Sequence, residues 1–380
     1  MKPVLNRWQY PTQSILLFAI ITLFAACDNT EVLVEKPLPE DLIAYFSPPE
    51  EFAGEYGDYR SPLIFDSGEE VQNASDWEKR RGEILDRWHG LLGEWPEVLT
   101  NPVVNYIESG QREDFIQHKV EFEVAPGWMR DAYILVPDGE GPMPAAVVPF
   151  YDAETGAGLD RELMDFAYQL TKRGFVTLSF GSDPRSNYFP EEANATLQPL
   201  SFMAYMAANA YQVLANLDEV DPGRIGIVGH SYGGKWAMFA SALYDKFAIG
   251  VWSDGGIVFD ESRGNVNFWD PWYLGYESGD IERDWRGIPA EENPRRGAYK
   301  MMIEKGWDLH DLHALMAPRP FLVSAGSEDP HERWIPLNHA IDVNKILGYE
   351  NRVAMQNRPT HSPNEYSNEI IYRFFEHFLK

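Results

Sequence analysis

The sequence is poor in cysteine and in basic residues. Cys27 is the only cysteine among 380 residues, so no disulfide can form within the chain and its stability has to come from packing. There are 32 lysines and arginines against 59 aspartates and glutamates, which gives a formal net charge of −27. A surface of this charge repels phosphate backbones, so no nucleic acid is expected as a partner. Hydrophobic residues make up 44% of the chain, which excludes general disorder.

Long apolar runs are also scarce. The longest occupies residues 14–26, follows Lys2 and Arg7, and ends in two alanines directly before Cys27. It is short for a membrane span but suits the apolar core of a signal peptide over residues 1–26. The pattern resembles a bacterial lipoprotein signal, which implies a lipidated Cys27 and a lipid-anchored protein of the cell envelope, at the outer membrane or facing the periplasm. An ordinary signal peptide with an incidental cysteine is the alternative.

The remaining chain has an irregular and a regular part. Residues 27–70 are rich in proline, glutamate and aspartate, and we expect a tether followed by an irregular segment. Residues 71–380 are expected to form one large domain. A helix is predicted over residues 76–92 from the spacing of its apolar residues, and two paired strands are predicted over 115–124 and 130–136.

Strand-like and helical segments alternate over the rest of the domain. The predicted strands are 144–150, 175–180, 224–229, 247–253, 319–325 and 352–357, and the predicted helices are 160–173, 198–217, 232–245, 334–347 and 364–379. This alternation predicts an α/β fold with a mostly parallel, doubly wound sheet and helices on both faces. Residues 254–310 interrupt the alternation as an insertion rich in aromatic residues.

One motif lies where a predicted strand turns into a predicted helix. It reads Gly229-His-Ser-Tyr-Gly-Gly-Lys235. Gly-x-Ser-x-Gly in this position is typical of a nucleophile elbow, a tight turn in which glycines leave room and the serine hydroxyl is exposed above the sheet. Ser231 is therefore the candidate nucleophile. A serine hydroxyl needs a histidine base that is oriented by a carboxylate.

His361 is the candidate base, because it lies between the last predicted strand and the last helix. His331 and His339 are weaker candidates, each more typical of a loop or helix surface. In the chain order nucleophile, acid, base, the acid falls between Ser231 and His361.

Two positions compete for the acid. Asp329 is preferred, since it lies in the turn after the strand at 319–325, where Glu328 is its neighbour and competitor. Asp254, at the end of the strand at 247–253, is the rival. For the oxyanion hole, we expect the backbone N–H groups of Tyr232 and Tyr151.

A metal site is a further possibility at His310 and His313, whose imidazoles lie three positions apart near Asp308 and Asp311. No additional ligand spacing supports it. The segment is better explained as the start of a helix, and neither a metal nor another cofactor is expected.

Three stretches of the sequence resemble glucuronoyl esterases and related acetyl-xylan-esterase-like and dienelactone-hydrolase-like members of the α/β-hydrolase superfamily. They are residues 229–235, 251–256 and 310–330, within a resemblance that covers roughly residues 110–380. The resemblance implies the α/β-hydrolase fold and a serine esterase with Ser231 as nucleophile, His361 as base, and Asp329 or Asp254 as acid. It also implies that Lys235 contacts a uronic-acid sugar.

The motif departs from the glucuronoyl esterases at two positions. Tyr232 stands where they have an arginine that helps to hold the oxyanion, and His230 stands where they usually have cysteine. Trp269 and Trp272 of the insertion are expected to stack on a sugar, with a self-contained hydrophobic lid as the alternative.

The sequence therefore predicts a serine ester hydrolase that removes a glucuronoyl or acetyl ester from a polysaccharide. The alternatives are a serine peptidase or a dienelactone-hydrolase-like enzyme of the same fold that acts on small molecules.

Overall fold

The computed structural model describes residues 36–278 and 285–380. The predicted signal peptide and Cys27 lie outside these residues. Leu38–Lys380 form one compact unit, which contains all the elements described below. Residues 38–70, expected as part of an irregular segment, belong to this unit, where Leu42 and Phe46 are buried.

Nine strands and ten helices form within the described residues. The strands are β1 (Val104–Arg112), β2 (Phe115–Ala125), β3 (Trp128–Pro137), β4 (Met143–Phe150), β5 (Val176–Gly181), β6 (Val220–His230), β7 (Ile249–Ser253), β8 (Phe321–Ala325) and β9 (Val353–Asn357). The helices are α1 (Glu40–Ile43), α2 (Ala74–Leu92), α3 (Ala153–Gly156), α4 (Phe166–Thr171), α5 (Pro199–Ala215), α6 (Tyr232–Leu243), α7 (Gly297–Lys305), α8 (His310–Leu315), α9 (Trp334–Ile346) and α10 (Glu365–Leu379).

The strands form one sheet in the order β1-β2-β3-β5-β4-β6-β7-β8-β9. Strands β1, β2 and β3 pair antiparallel, and β3 also pairs antiparallel with β5. The remaining pairs, from β5 through β4 to β9, are parallel. The mostly parallel sheet is thus confirmed. Its six parallel strands all present their carboxyl ends at one edge, where open α/β sheets place their ligands.

Both faces of the sheet are covered by helices. A larger apolar cluster includes Trp88 of α2, Phe202 of α5 and Trp236 of α6. A smaller apolar cluster lies on the other face and includes Phe166 of α4 and Phe375 of α10. Among the described residues, no helix has the length and apolar character that crossing a membrane requires.

Several elements differ from the prediction: the short helices α1, α3 and α7 were not predicted, and neither was one strand, while one predicted helix is shorter than expected. Strand β1 was not predicted, because seven of its nine residues are exposed and its sequence therefore has no apolar alternation. The helix predicted over 160–173 is reduced to α4. Leu163 has φ of 65°, a left-handed conformation that ends any helix in a non-glycine residue, so the regular turn begins only at Phe166.

Candidate active site

The serine of the motif lies in a strained turn at the carboxyl edge of the sheet. Strand β6 ends at His230, helix α6 begins at Tyr232, and Ser231 between them has φ of 55° and ψ of −115°. A Cβ atom on Gly229 would lie 2.1 Å from the carbonyl oxygen of Gly233, and one on Gly233 would lie 2.2 Å from that of Pro149. Only glycine fits at either position, and the turn therefore exposes the Ser231 hydroxyl.

Ser231 begins a chain of two hydrogen bonds. His361 Nε2 lies 2.9 Å from Ser231 Oγ, and His361 Nδ1 lies 2.7 Å from Asp254 Oδ2. The histidine follows β9 and the aspartate follows β7, so the parallel sheet brings together three residues far apart in sequence. An imidazole held in this way can accept the serine proton on one nitrogen while the carboxylate holds the proton on the other.

Asp254 is buried and fixed by backbone donors. Its Oδ1 accepts N–H groups from Gly326 at 2.7 Å and from Glu328 and Asp329 at 3.1 Å. The three bonds compensate the charge of the carboxylate and leave Oδ2 directed at His361.

The structure thus corrects the preference for Asp329. That carboxylate is fully buried, and it accepts the N–H of Gly256 at 2.9 Å and that of Ile257 at 2.7 Å instead of contacting His361. The turn after β8 thus donates its backbone N–H groups to Asp254, whereas the side chain of Asp329 in the same turn contacts the backbone at the start of the insertion. Burial, followed by the nearby negative charge of Asp254, raises the pKa of Asp329 to about 6.

Glu328, the competitor for the acid position, also lies near the histidine. Asp254, Glu328 and His361 each bring one potential metal-ligating atom within 4.8 Å of the others, the one such group found among residues 36–278 and 285–380. Both nitrogens of His361 are already engaged by Asp254 and Ser231, and Glu328 Oε1 accepts hydrogen bonds from Asn265 at 3.2 Å and Ser327 at 3.0 Å. The arrangement fits a serine–histidine–carboxylate site better than a cation site.

A buried arginine behind the site was missed from the sequence. The guanidinium of Arg358 donates to the carbonyl oxygens of His361 at 2.6 Å, Ser362 at 2.9 Å and Ser324 at 2.7 Å, and it also reaches the Ser253 hydroxyl at 3.3 Å. It therefore ties the histidine loop to the ends of β7 and β8. In the sequence it is only an arginine three residues before the histidine, and nothing there distinguishes it from an arginine on the surface.

His230 lies directly beneath the histidine base. Its ring centroid is 4.8 Å from that of His361, and its Nδ1 lies 3.1 Å from both oxygens of Ser253. Burial, together with His361, lowers the pKa of His230 well below its usual value, so its imidazole is neutral at neutral pH.

A cavity of about 550 Å³ opens above Ser231 and His361. Its other walls are the loop after β5, with Asp183 and Arg185, and the insertion, with Trp272 and Trp285. Trp285 is 59% exposed, and Arg185 lies over the ring of Trp272 at 5.4 Å.

The predicted sugar contacts are only partly at the cavity. Trp272 lines the cavity although it is only 5% exposed. Trp269 is 3% exposed, is not part of the cavity lining and packs in the core against Tyr299, so the structure does not place it at the predicted sugar contact. Trp285 takes the exposed position instead. It belongs to the same aromatic insertion, but sequence alone does not separate its exposed tryptophan from its buried ones.

Lys235 reaches the cavity wall from helix α6 but is largely engaged. Its ammonium donates to the carbonyl oxygens of Gly255 and Asn265, the latter at 3.4 Å, and it lies 4.5 Å from the ring centroid of Phe268. Burial lowers its pKa to about 8. Lys235 thus ties the insertion to the elbow helix while it lines the cavity.

Both tyrosines predicted at the oxyanion hole line the cavity near Ser231. Tyr232 is the first residue of α6, so its N–H has no acceptor within the helix. Its side chain is buried, and its hydroxyl donates to the carbonyl oxygen of Ser182 at 2.9 Å. Tyr151 follows the last residue of β4 and is 42% exposed.

The remaining histidines lie away from Ser231. His310 Nε2 donates to the carbonyl oxygen of Arg60 at 2.8 Å, Asp311 pairs with Arg87 at 2.6 Å, and Asp308 accepts the N–H of Phe259 at 3.0 Å. His310, Asp311 and Asp308, which were considered together as a possible metal site, therefore each contact a different partner at the start of α8. His339 faces Tyr56, and His331 lies in the turn that leads to α9.

Solved structures share this architecture. No family model and no curated protein matches the sequence. A glucuronoyl esterase from Solibacter usitatus has a TM-score of 0.67 and 17% identity, over 85% of this chain and 98% of its own. A promiscuous CE15 esterase from a marine bacterial metagenome has a TM-score of 0.64 and 16% identity, over 84% and 96%. A putative acetyl xylan esterase from Bacteroides fragilis has a TM-score of 0.53 and 16% identity, over 82% and 79%. These similarities show that the chain has the α/β-hydrolase fold.

Proposed function

We propose that this protein is a serine carboxylic-ester hydrolase that acts on ester substituents of a polysaccharide. The observation that carries the proposal is the hydrogen-bonded chain Ser231–His361–Asp254 at the floor of a cavity with tryptophan in its walls. The resemblance in fold to proteins described as glucuronoyl and acetyl xylan esterases supports the choice of a sugar ester.

In this proposal His361 Nε2 takes the proton of Ser231 as Oγ attacks the ester carbonyl. Asp254 holds the Nδ1 proton and stabilises the imidazolium that forms. The N–H of Tyr232 donates to the oxygen that becomes negative. Collapse of the tetrahedral intermediate breaks the ester bond, and His361 returns the proton to the departing alcohol. Water then enters with His361 as base, releases the acid and restores Ser231.

The cavity supports a sugar next to the ester. Trp285 offers an exposed indole face on which the C–H face of a pyranose can pack as apolar surface, and Trp272 forms part of the wall beside it. A uronate ester carries no charge, so the acidic surface of the protein does not oppose its approach. We therefore place a glucuronoyl ester first and an acetyl ester second.

The test compares three substrates at equal enzyme concentration: a benzyl ester of glucuronic acid, acetylated xylan and a neutral peptide. We expect hydrolysis of the glucuronate ester, and none by Ser231→Ala prepared in parallel as a control for contaminating esterases. Release of acetate alone would replace the glucuronoyl ester by an acetyl ester. Cleavage of the peptide alone would overturn the carbohydrate proposal in favour of a serine peptidase.

We also propose that Cys27 carries a lipid that anchors the protein in the bacterial cell envelope, on the sequence pattern that precedes it. Metabolic labelling with a fatty-acid analogue should mark the full chain and leave Cys27→Ala unlabelled. Equal labelling of both would refute the anchor.

A further inference from the structure

The residue after the serine leaves part of the oxyanion site without a side-chain donor. Tyr232 is 1% exposed, and its hydroxyl both donates to Ser182 and accepts the Asn187 amide at 3.3 Å. It is therefore held in the interior, behind the elbow. An oxygen that becomes negative above Ser231 would receive the Tyr232 N–H, but no hydrogen bond from the Tyr232 side chain.

Tyr151 approaches the same place from the neighbouring strand. It directly follows β4, which pairs with β6, so its backbone lies beside the elbow. Its ring packs on that of Tyr232 at 4.7 Å and edge-on against that of Phe150 at 4.9 Å, which fixes the direction of the phenol. Tyr151 lines the cavity together with Ser231 and His361, so its phenol faces the space in which the ester carbonyl would sit.

We infer that the hydroxyl of Tyr151, and not only its N–H, donates a hydrogen bond to the substrate oxygen that becomes negative during attack by Ser231. This assignment rests on the proposed function and adds a catalytic residue to it. The phenol keeps its proton throughout. It donates that proton in a hydrogen bond to the oxyanion, which is bonded to the attacked carbon.

The surroundings of Tyr151 suit a donor. Burial raises the pKa of Tyr151 above its usual value, so the phenol remains protonated across the working range of an esterase. A donor that is fixed before the reaction stabilises the developing charge without reorganisation, and the loss of one such donor costs about 10²–10³ in kcat. If the ring only stacked on a sugar, it would stabilise the ground state as well, and its loss would raise KM instead of lowering kcat.

The experiment is the hydrolysis of an aryl acetate by Tyr151→Phe, which keeps the ring, the backbone N–H and the packing on Tyr232. We expect kcat to fall about 10²-fold, with KM within about threefold of the wild type. Tyr276→Phe is the matched control, because it loses a phenol that donates to the carbonyl oxygen of Glu192 at 3.0 Å, away from the cavity lining. It should keep the wild-type kcat.

Each other outcome has a definite meaning. Unchanged kcat in Tyr151→Phe overturns the inference, and so does a rise in KM at constant kcat, which would make the residue a ground-state contact. A fall in kcat in Tyr276→Phe equal to that in Tyr151→Phe also overturns it, since the effect would then be general. No turnover by the wild-type protein on any ester would refute the proposed function itself, and is thus distinct from failure of the Tyr151 assignment.

Discussion

The identity of the acid can be tested with two isosteric variants, Asp254→Asn and Asp329→Asn. In the first, three backbone N–H groups converge on the Oδ1 side of the side chain. The amide oxygen of asparagine must occupy that side, because an NH₂ group there would face three donors. The NH₂ group is then directed at His361 Nδ1.

This orientation reverses the tautomer of the histidine. His361 Nδ1 becomes an acceptor, the ring proton moves to Nε2, and Nε2 can no longer take the proton of Ser231. A change of this kind lowers kcat by about 10⁴-fold in a serine–histidine–aspartate site, which corresponds to about 5.5 kcal/mol of barrier. The magnitude applies here because the geometry, at 2.7 Å between Nδ1 and Oδ2, is that of a direct bond.

Asp329→Asn should affect stability rather than turnover. Its two oxygens accept from Gly256 and Ile257, so an amide would lose one bond and oppose one donor. We expect a loss of about 1–3 kcal/mol in the free energy of unfolding, with kcat within about tenfold of the wild type. The assays are aryl acetate turnover and urea unfolding of both variants. A 10⁴-fold loss in Asp329→Asn with an active Asp254→Asn would refute the reasoning.

Two further predictions concern the insertion and the pH dependence of stability. Trp285→Ala should raise KM for a glucuronate ester but not for an aryl acetate, whereas Trp269→Ala should cost about 3–5 kcal/mol of unfolding free energy, because only Trp285 is exposed at the cavity. Equal effects of the two changes on KM would contradict this division. Burial, followed by the neighbouring His310, lowers the pKa of His339 to about 4, so its contribution to stability is complete above pH 6.5 and is lost as the pH falls through 4. Between pH 6.5 and 4, the free energy of unfolding should therefore fall less in His339→Gln than in the wild type, by up to about 3 kcal/mol. Denaturant titrations across this pH range measure the difference, and identical pH profiles of the two proteins would refute the prediction.

Much of the fold follows from local sequence patterns. The apolar run before Gly229 and the apolar helix after Ser231 are enough to predict strand, elbow and helix, because a buried parallel strand and a buried helix each have a short-range signature. The exposed edge strand β1 has no such signature, since neither of its faces is buried. Leu163 likewise ends a predicted helix because of its left-handed backbone conformation, and the amino-acid sequence around it does not indicate that conformation.

Chain order is enough to predict that Ser231 and His361 meet. Ser231 and His361 occupy positions that topology alone defines, at the elbow and after the last strand. The acid is not defined in this way, because Asp254 and Asp329 follow adjacent parallel strands and both reach the same edge. The choice depends on which loop offers its backbone N–H groups and which offers its side chain, and this is a property of tertiary geometry. The same holds for Trp269 and Trp285.

The most direct test of a serine esterase is to trap its acyl-enzyme. The protein is mixed with a p-nitrophenyl ester, quenched in acid within the first turnover, digested and analysed by mass spectrometry. We expect the peptide containing Ser231 to gain the mass of the acyl group, and this gain to be absent in Ser231→Ala. Hydrolysis with no acylated peptide, or with the acyl group on another residue, would contradict the role of Ser231 as nucleophile.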